Sequence, residues 1–177
     1  GTRWLYREPP DVPSRVDGRR VLLPIAIQDP CDNRVDLHHE RGYLRYVVDA
    51  AGRVLDVRWN AQGRMESVWF TGFVSPRRGD VAASPPSRAP SPSEVAPLDR
   101  PQCLVRYGYD AGFLTSATDA GGHAMRYRWS DGVIVEEIHK GGLRFVFAWD
   151  FDHPDGNCIR TWGEDPSFDP SAAADNP

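Results

Sequence analysis

The chain has 177 residues, of which 26% are charged, and a formal net charge of -4. This mild acidic balance, with no concentrated basic face, argues against nucleic acid and against an anionic membrane surface as partners. No apolar run reaches the roughly 18 residues of a membrane helix, and the opening GTRWLYREPP lacks the apolar centre of a signal peptide.

Residues 1–19 are polar and punctuated by Pro9, Pro10 and Pro13, which reads as a connecting segment. A strand-like run, RVLLPIAIQD, begins at Arg20. Pro24 within it predicts either an edge strand or a split into two short strands, because proline brings no N–H to a ladder. The turn residues of DPCDN close it. Up to residue 74 the pattern alternates with a period of two, broken at Gly42, at Asp49-Ala50-Ala51-Gly52 and at Asn60-Ala61-Gln62-Gly63. Leu44, Tyr46 and Val48 are expected on one face of a strand, with Tyr43, Arg45 and Val47 on the other. Alternation over 4 to 8 residues between such turns is the signature of antiparallel hairpins. Residues 20–74 therefore read as a first block of β-sheet.

Residues 75–101 hold seven prolines, five serines and no aromatic residue. Such a composition offers little apolar area to offset ordering entropy, and predicts a disordered or polyproline-like insertion. The Arg-Gly-Asp at 78–80 is a three-residue coincidence on this account. Alternation resumes over 102–163, with turns at Gly112, Asp119-Ala120-Gly121-Gly122, Gly132 and Gly142. Residues 164–177 are acidic and proline-rich, and are expected to be a disordered tail. No stretch carries a 3.6-residue period, so almost no helix is expected.

Two spacings stand out. Glycines recur about every tenth residue, and the pairs Tyr109-Asp110, Trp129-Ser130 and Trp149-Asp150 are spaced 20 residues apart. Trp59-Asn60 extends the pattern to the first block. A repeated unit of strand, turn, strand, turn predicts hairpins laid side by side, stabilised by their neighbours. The aromatics Trp59, Tyr109, Trp129 and Trp149 stand at strand ends, where packing on the adjacent hairpin is the expected role. The alternative is a stacking platform for carbohydrate.

Catalytic chemistry finds little support. His38 and His39 are adjacent, so on a regular strand they point to opposite faces and cannot chelate one ion. Asp150, Asp152 and Asp155 lack the spacing of a calcium loop and read as an acidic turn. Glu136 and Glu137 again face opposite ways, and no nucleophile elbow surrounds any serine. Cys31, Cys103 and Cys158 are odd in number and far apart, which supports neither a disulfide framework nor a CxxC metal site. A single bridge between two of them stays open. The expectation is a protein with no catalytic residues, no metal site and no cofactor.

The residues resemble the YD repeats of the Rhs (rearrangement-hot-spot) family. Its pattern is a Tyr-Asp pair, a short gap, Gly-Arg-Leu, a strand, then Asp-x-x-Gly. Tyr109-Asp110, Gly112-Phe113-Leu114 and Asp119-x-x-Gly122 follow it closely. So do Asp49-x-x-Gly52-Arg53-Val54-Leu55 and Trp59-Asn60-x-x-Gly63-Arg64-Met65. Trp often replaces Tyr, and Asn or Ser replaces Asp. The resemblance implies an antiparallel β-hairpin solenoid, part of a hollow β-shell that encloses a C-terminal toxin domain for delivery between bacteria by type VI secretion. Its implied partners are the remainder of the shell, the toxin domain and a secretion-spike protein. The implied location is outside the cell or at its surface, reached by a signal-less route. The family's self-cleavage motif is not matched at Asp165-Pro166 or Asp169-Pro170, so autoproteolysis is not carried over.

Overall fold

The computed structural model describes residues 1–9, 11, 13, 15–74, 94–151 and 153–165. The protein is all-β, with no helix among the described residues. It divides into two compact units, Gly1–Leu104 and Val105–Pro177. The first holds β1 (Arg3–Arg7), β2 (Arg15–Val16), β3 (Arg19–Arg20), β4 (Leu23–Gln28), β5 (Arg34–Glu40), β6 (Tyr43–Val48), β7 (Arg53–Trp59) and β8 (Met65–Val74). β9 (Val95–Asp110) begins in the first unit and ends in the second. The second continues with β10 (Phe113–Asp119), β11 (Ala124–Ser130), β12 (Val133–Ile138), β13 (Arg144–Trp149) and β14 (Cys158–Glu164).

Neighbours in space are neighbours in sequence. The first unit runs β1-β4-β5-β6-β7-β8-β9, with β2-β3 a separate hairpin; the second runs β9-β10-β11-β12-β13-β14. Pairing is antiparallel from β1·β4 to β7·β8 and from β9·β10 to β13·β14. This meander is what hairpins joined by short turns produce.

The register repeats as well. In the first unit Ala26 faces Asp36 and Tyr46 faces Asp56. In the second, Ser116 faces Arg126 and Glu136 faces Val146. Within each unit these pairs recur at a 20-residue interval. The irregularities recur too. Pairing shifts at His38/His39, at Leu114/Ser116 and at Arg128/Trp129, each beside a two-residue turn.

Several details depart from the pattern read in the sequence. β1 and the β2-β3 hairpin form within residues 1–19 and just beyond, where a connecting segment was expected. Their side chains are mostly exposed, so hydrophobic alternation gave no signal. β9 begins at Val95, inside the range read as an insertion. There the β8 and β9 backbones meet closely: a Cβ on Gly72 would stand 2.3 Å from the Ala96 carbonyl oxygen. Residues 75–93 and 166–177 lie outside the described residues. Pro24 sits within β4, which lies between β1 and β5 and not at an edge. Its missing N–H is accommodated where the β1·β4 register shifts, between Leu5 and Tyr6.

Arg45 is another departure. It is the extra residue of the β6 bulge, since His39 faces Leu44 and His38 faces Tyr46, and this also puts Leu44 on the face opposite Tyr46 and Val48 instead of the same one. Its guanidinium therefore turns to the Tyr46 side, 5.3 Å from that ring, instead of the opposite face that strict alternation assigns.

Burial is shallow. Ala26, Val54, Val57 and Val133 are the buried apolar residues among those described, and most other strand positions are half-buried. The ladder and contacts between adjacent hairpins, more than a deep core, hold each unit together.

Candidate functional site

Two kinds of turn alternate with the strands. The first is a two-residue turn with positive φ at both positions, which the meander has at Arg41-Gly42, Ala111-Gly112 and Asp131-Gly132 and the β2-β3 hairpin at Asp17-Gly18. That geometry matches the twist of a hairpin and selects Gly at its second place. Asp110, Ser130 and Glu40 precede these turns, and Phe113, Val133 and Tyr43 follow them.

The second kind is a loop headed by Asp or Asn. At Asp119 the backbone N–H of Gly122 donates to the Asp119 carbonyl (3.0 Å), and the Asp119 N–H donates to the His123 carbonyl (2.9 Å). The Asp119 carboxylate then accepts from the N–H of Gly121 (2.9 Å) and of His123 (3.0 Å). Asp49 does the same for Ala51 and Arg53, Asn60 for Gln62 and Arg64, and Asp29 for Cys31 and Asn33. An Asx side chain thus satisfies two loop donors that the ladder leaves over. Gly52, Gly63 and Gly122 hold the positive-φ place, which Asp32 fills in the first loop. The 139–143 loop keeps the backbone frame under His139, which bonds Leu143 and Gly142 through its main chain. Asp150 heads a longer version, where its carboxylate accepts from Phe151 and from both the backbone and side-chain nitrogens of Asn157. That carboxylate is already engaged by its own loop; Asp152, the second residue of the acidic turn, lies outside the described residues.

The tandem aromatic-polar pairs therefore have two different roles. Asp110 and Ser130 lead into two-residue turns, whereas Asn60 and Asp150 head Asx loops.

The aromatics form a repeated staple. The indole N–H of Trp59 donates to the Leu44 carbonyl at 2.8 Å. Trp129 donates to Leu114 at 2.7 Å, and Trp149 to Ile134 at 2.7 Å. Each acceptor lies 15 residues earlier, near the start of the preceding strand. The rings pack beside it: Tyr43 meets Trp59 edge-on at 4.9 Å, and Phe113 stacks on Trp129 at 5.0 Å. A sequence signature accompanies the staple, namely Gly, nine residues, Gly, six residues, Trp. It fits Gly42-Gly52-Trp59, Gly112-Gly122-Trp129 and Gly132-Gly142-Trp149. Tyr109 occupies the same place on β9 and faces Leu114, but has no indole N–H to donate. These tryptophans are half-buried, with their indole N–H bonded to a strand carbonyl, and Trp59 and Trp129 each have an aromatic neighbour against the ring.

Charge runs across the second unit. Glu136, buried on β12, accepts from Arg128 Nε at 2.8 Å and from Arg144 Nε, and Arg144 also reaches Glu164 at 2.8 Å. Burial works to raise the Glu136 carboxyl, but the two arginines outweigh it and hold it below the usual range. Lys140 joins the 139–143 loop to Asp119 at 2.6 Å. That hydrogen bond, with the loop N–H groups, brings the Asp119 carboxyl down to about 2. In the first unit Arg45 stands 3.0 Å from the buried Asp56, an ion pair whose geometry falls short of a hydrogen bond, and Arg58 reaches the other oxygen at 3.2 Å while stacking 4.5 Å from the Trp69 ring centre.

His38 is buried on β5 opposite Tyr46, and the register shift separates it from His39. Burial lowers the imidazole pKa of both. Among the described residues no group of three or more His, Cys, Asp or Glu side chains is arranged to hold a metal ion. No disulfide joins Cys31, Cys103 or Cys158. No helix among the described residues is long and apolar enough to cross a membrane.

No protein-family model matches the chain, and no curated protein matches it.

Proposed function

We propose that this chain is a non-catalytic structural segment of an Rhs-type YD-repeat wall, which encloses a toxin domain and contributes to its delivery between bacteria. The observation that carries this reading is the repeated staple. Three stretches share one turn pair, one strand register and one indole-to-carbonyl bond 15 residues back. Several carboxylates are engaged in the repeat: Asp49, Asp119 and Asp150 cap loops, and Asp56 and Glu136 pair with arginines. Half-buried strand faces also suit a wall that is completed by further repeats, because a repeat unit buries its surface on its neighbours.

The Asx loop accounts for the Asp-x-x-Gly half of the family pattern, and the two-residue turn accounts for the Gly that follows the Tyr-Asp pair. The test is to read the gene on both sides of this segment. Further Gly-x9-Gly-x6-aromatic units and a C-terminal domain of different composition are expected. Flanks with neither would overturn the assignment. Binding on a glycan array that disappears in a folded Trp129→Ala variant would favour the carbohydrate-binding alternative instead.

A further inference from the structure

Three hairpins of the meander close in the same way. Glu40 faces Tyr43, Asp110 faces Phe113 and Ser130 faces Val133, each pair around a two-residue turn. After the next pair each ladder skips one residue: Arg45, Thr115 or Val135. The β1·β4 hairpin has the same closing pair, Arg7 facing Leu23, and the same skip, at Ile25. Where the others have two residues, however, it has fifteen, residues 8–22. The sheet does not need them, and insertions into repeats are commonly binding elements.

This arm is anchored near its base. Pro9 is buried, and the Arg41 N–H, in the turn of the next hairpin, donates to Asp11 at 3.4 Å. Beyond that, β2 and β3 pair only with each other, and every residue from Arg15 to Arg20 is exposed. Their register sets Arg15 opposite Arg20 and Val16 opposite Arg19. Like charges directly opposite each other weaken a ladder, so stability alone does not account for the arrangement. Arg20 pairs with Glu8, whereas Arg15 donates to the Gly18 carbonyl at 3.3 Å. Arg15 and Arg19 have no acidic partner among the described residues. Beside them Val16 and Leu22 are 55% and 45% exposed. Residues 1–22 hold five arginines against Glu8, Asp11 and Asp17, while the rest of the chain holds sixteen Lys and Arg against twenty-two Asp and Glu. The arm is thus the basic part of an acidic protein.

We propose that the arm docks an acidic segment of another protein, whose carboxylates sit on Arg15, Arg19 and Arg20 while its apolar side chains meet Val16 and Leu22. A guanidinium takes a carboxylate through two parallel hydrogen bonds, and arginine beside apolar surface is characteristic of protein interfaces. Three arginines are few for a polyanion such as nucleic acid, which the acidic remainder of the chain repels. The inference rests on the repeat frame and does not depend on the shell assignment. Further repeats would pair along a sheet edge and leave the turns at the strand ends open.

Panning a random peptide library against the full chain tests it, beside a variant in which residues 8–22 are replaced by Asn-Gly, a two-residue turn of the kind the other hairpins use at this place. Far-ultraviolet circular dichroism verifies that each protein is folded. The full chain is expected to enrich peptides rich in Asp and Glu, and the Asn-Gly variant to enrich none of them. For an enriched peptide, fluorescence anisotropy is expected to show at least tenfold weaker binding to Arg15→Glu and to Arg19→Glu. Both are exposed positions, and these variants carry the test if the turn replacement does not fold. Binding to Arg160→Glu, at an exposed arginine of the second unit, is expected to be unchanged. No enrichment, peptides without an acidic excess, binding unmoved by both arm substitutions, or tighter binding to duplex DNA or phosphatidylserine vesicles would overturn the proposal.

Discussion

The indole N–H of Trp129 on β11 donates to the Leu114 carbonyl on β10 at 2.7 Å, and the ring stacks on Phe113 at 5.0 Å. One side chain thus fastens the end of a strand to the beginning of its neighbour, beside the turn at Ala111-Gly112. Trp129→Phe keeps most of the ring contact and removes the donor, so it is expected to cost about 1 kcal/mol. Trp129→Ala removes both and is expected to cost about 3 kcal/mol. Urea denaturation followed by circular dichroism measures the difference. Equal losses for the two variants would remove the packing contribution from the staple.

Gly52 and Gly122 hold equivalent places in two Asx loops, at φ +77 and +82. Their surroundings differ. A Cβ on Gly52 would stand 2.4 Å from the Val74 carbonyl oxygen, whereas one on Gly122 meets nothing within 4 Å. Gly122→Ala is therefore expected to cost about 1 kcal/mol, the left-handed backbone penalty alone. Gly52→Ala adds a backbone clash and is expected to cost about 3 kcal/mol. Matched denaturation curves for the two variants test the ordering.

Stability is expected to fall with acid in two stages. Burial lowers the His38 pKa, against the pull of Asp36 and with the push of His39. The folded state then binds this proton less readily than the unfolded chain does. The contribution is complete above the unfolded value of 6.5 and declines as pH falls below it. Asp119 follows at lower pH. Its carboxyl is held at about 2, against 3.8 ordinarily, chiefly by the Lys140 hydrogen bond, so its contribution is present above about 4 and is lost as pH falls toward 2. Urea midpoints between pH 8 and pH 2 measure both stages. His38→Gln is expected to reduce the first, leaving the share that the half-buried His39 contributes, and an unchanged slope there would exclude His38 as a source.

Lys140 and Asp119 connect successive loops at 2.6 Å. Lys140→Met removes the largest cause of the low Asp119 value, so the carboxyl titration, followed by NMR, is expected to move back up toward 3.8. No movement would mean that the Gly121 and His123 N–H groups alone hold it down.

Much of this architecture was legible in the sequence, because a period-two pattern broken by Asp-x-x-Gly turns has few solutions other than hairpins in a meander. The turns at Gly52, Gly63 and Gly122 stand where spacing placed them. Three things were hidden for physical reasons. Arg45 changes side because a bulge adds a residue, and alternation alone cannot register that. β1 escaped notice because edge strands with exposed side chains carry no burial pattern. The distinction between Asp110 before a tight turn and Asn60 or Asp150 inside a loop depends on the residue count of each turn, which the aromatic-polar pairs obscure. The Gly-x9-Gly-x6-Trp spacing was present in the sequence throughout, and it is the signal that marks the staple.

The most direct test of the repeated staple is the exchange of the six tryptophan indole N–H groups with solvent, resolved by NMR in the intact chain. Trp59, Trp129 and Trp149 are expected to exchange together and slowly, because each is bonded to a strand carbonyl, while Trp4, 53% exposed on β1, exchanges fast. If those three indoles exchange as fast as Trp4, the staple does not exist in solution and the repeat it defines is contradicted.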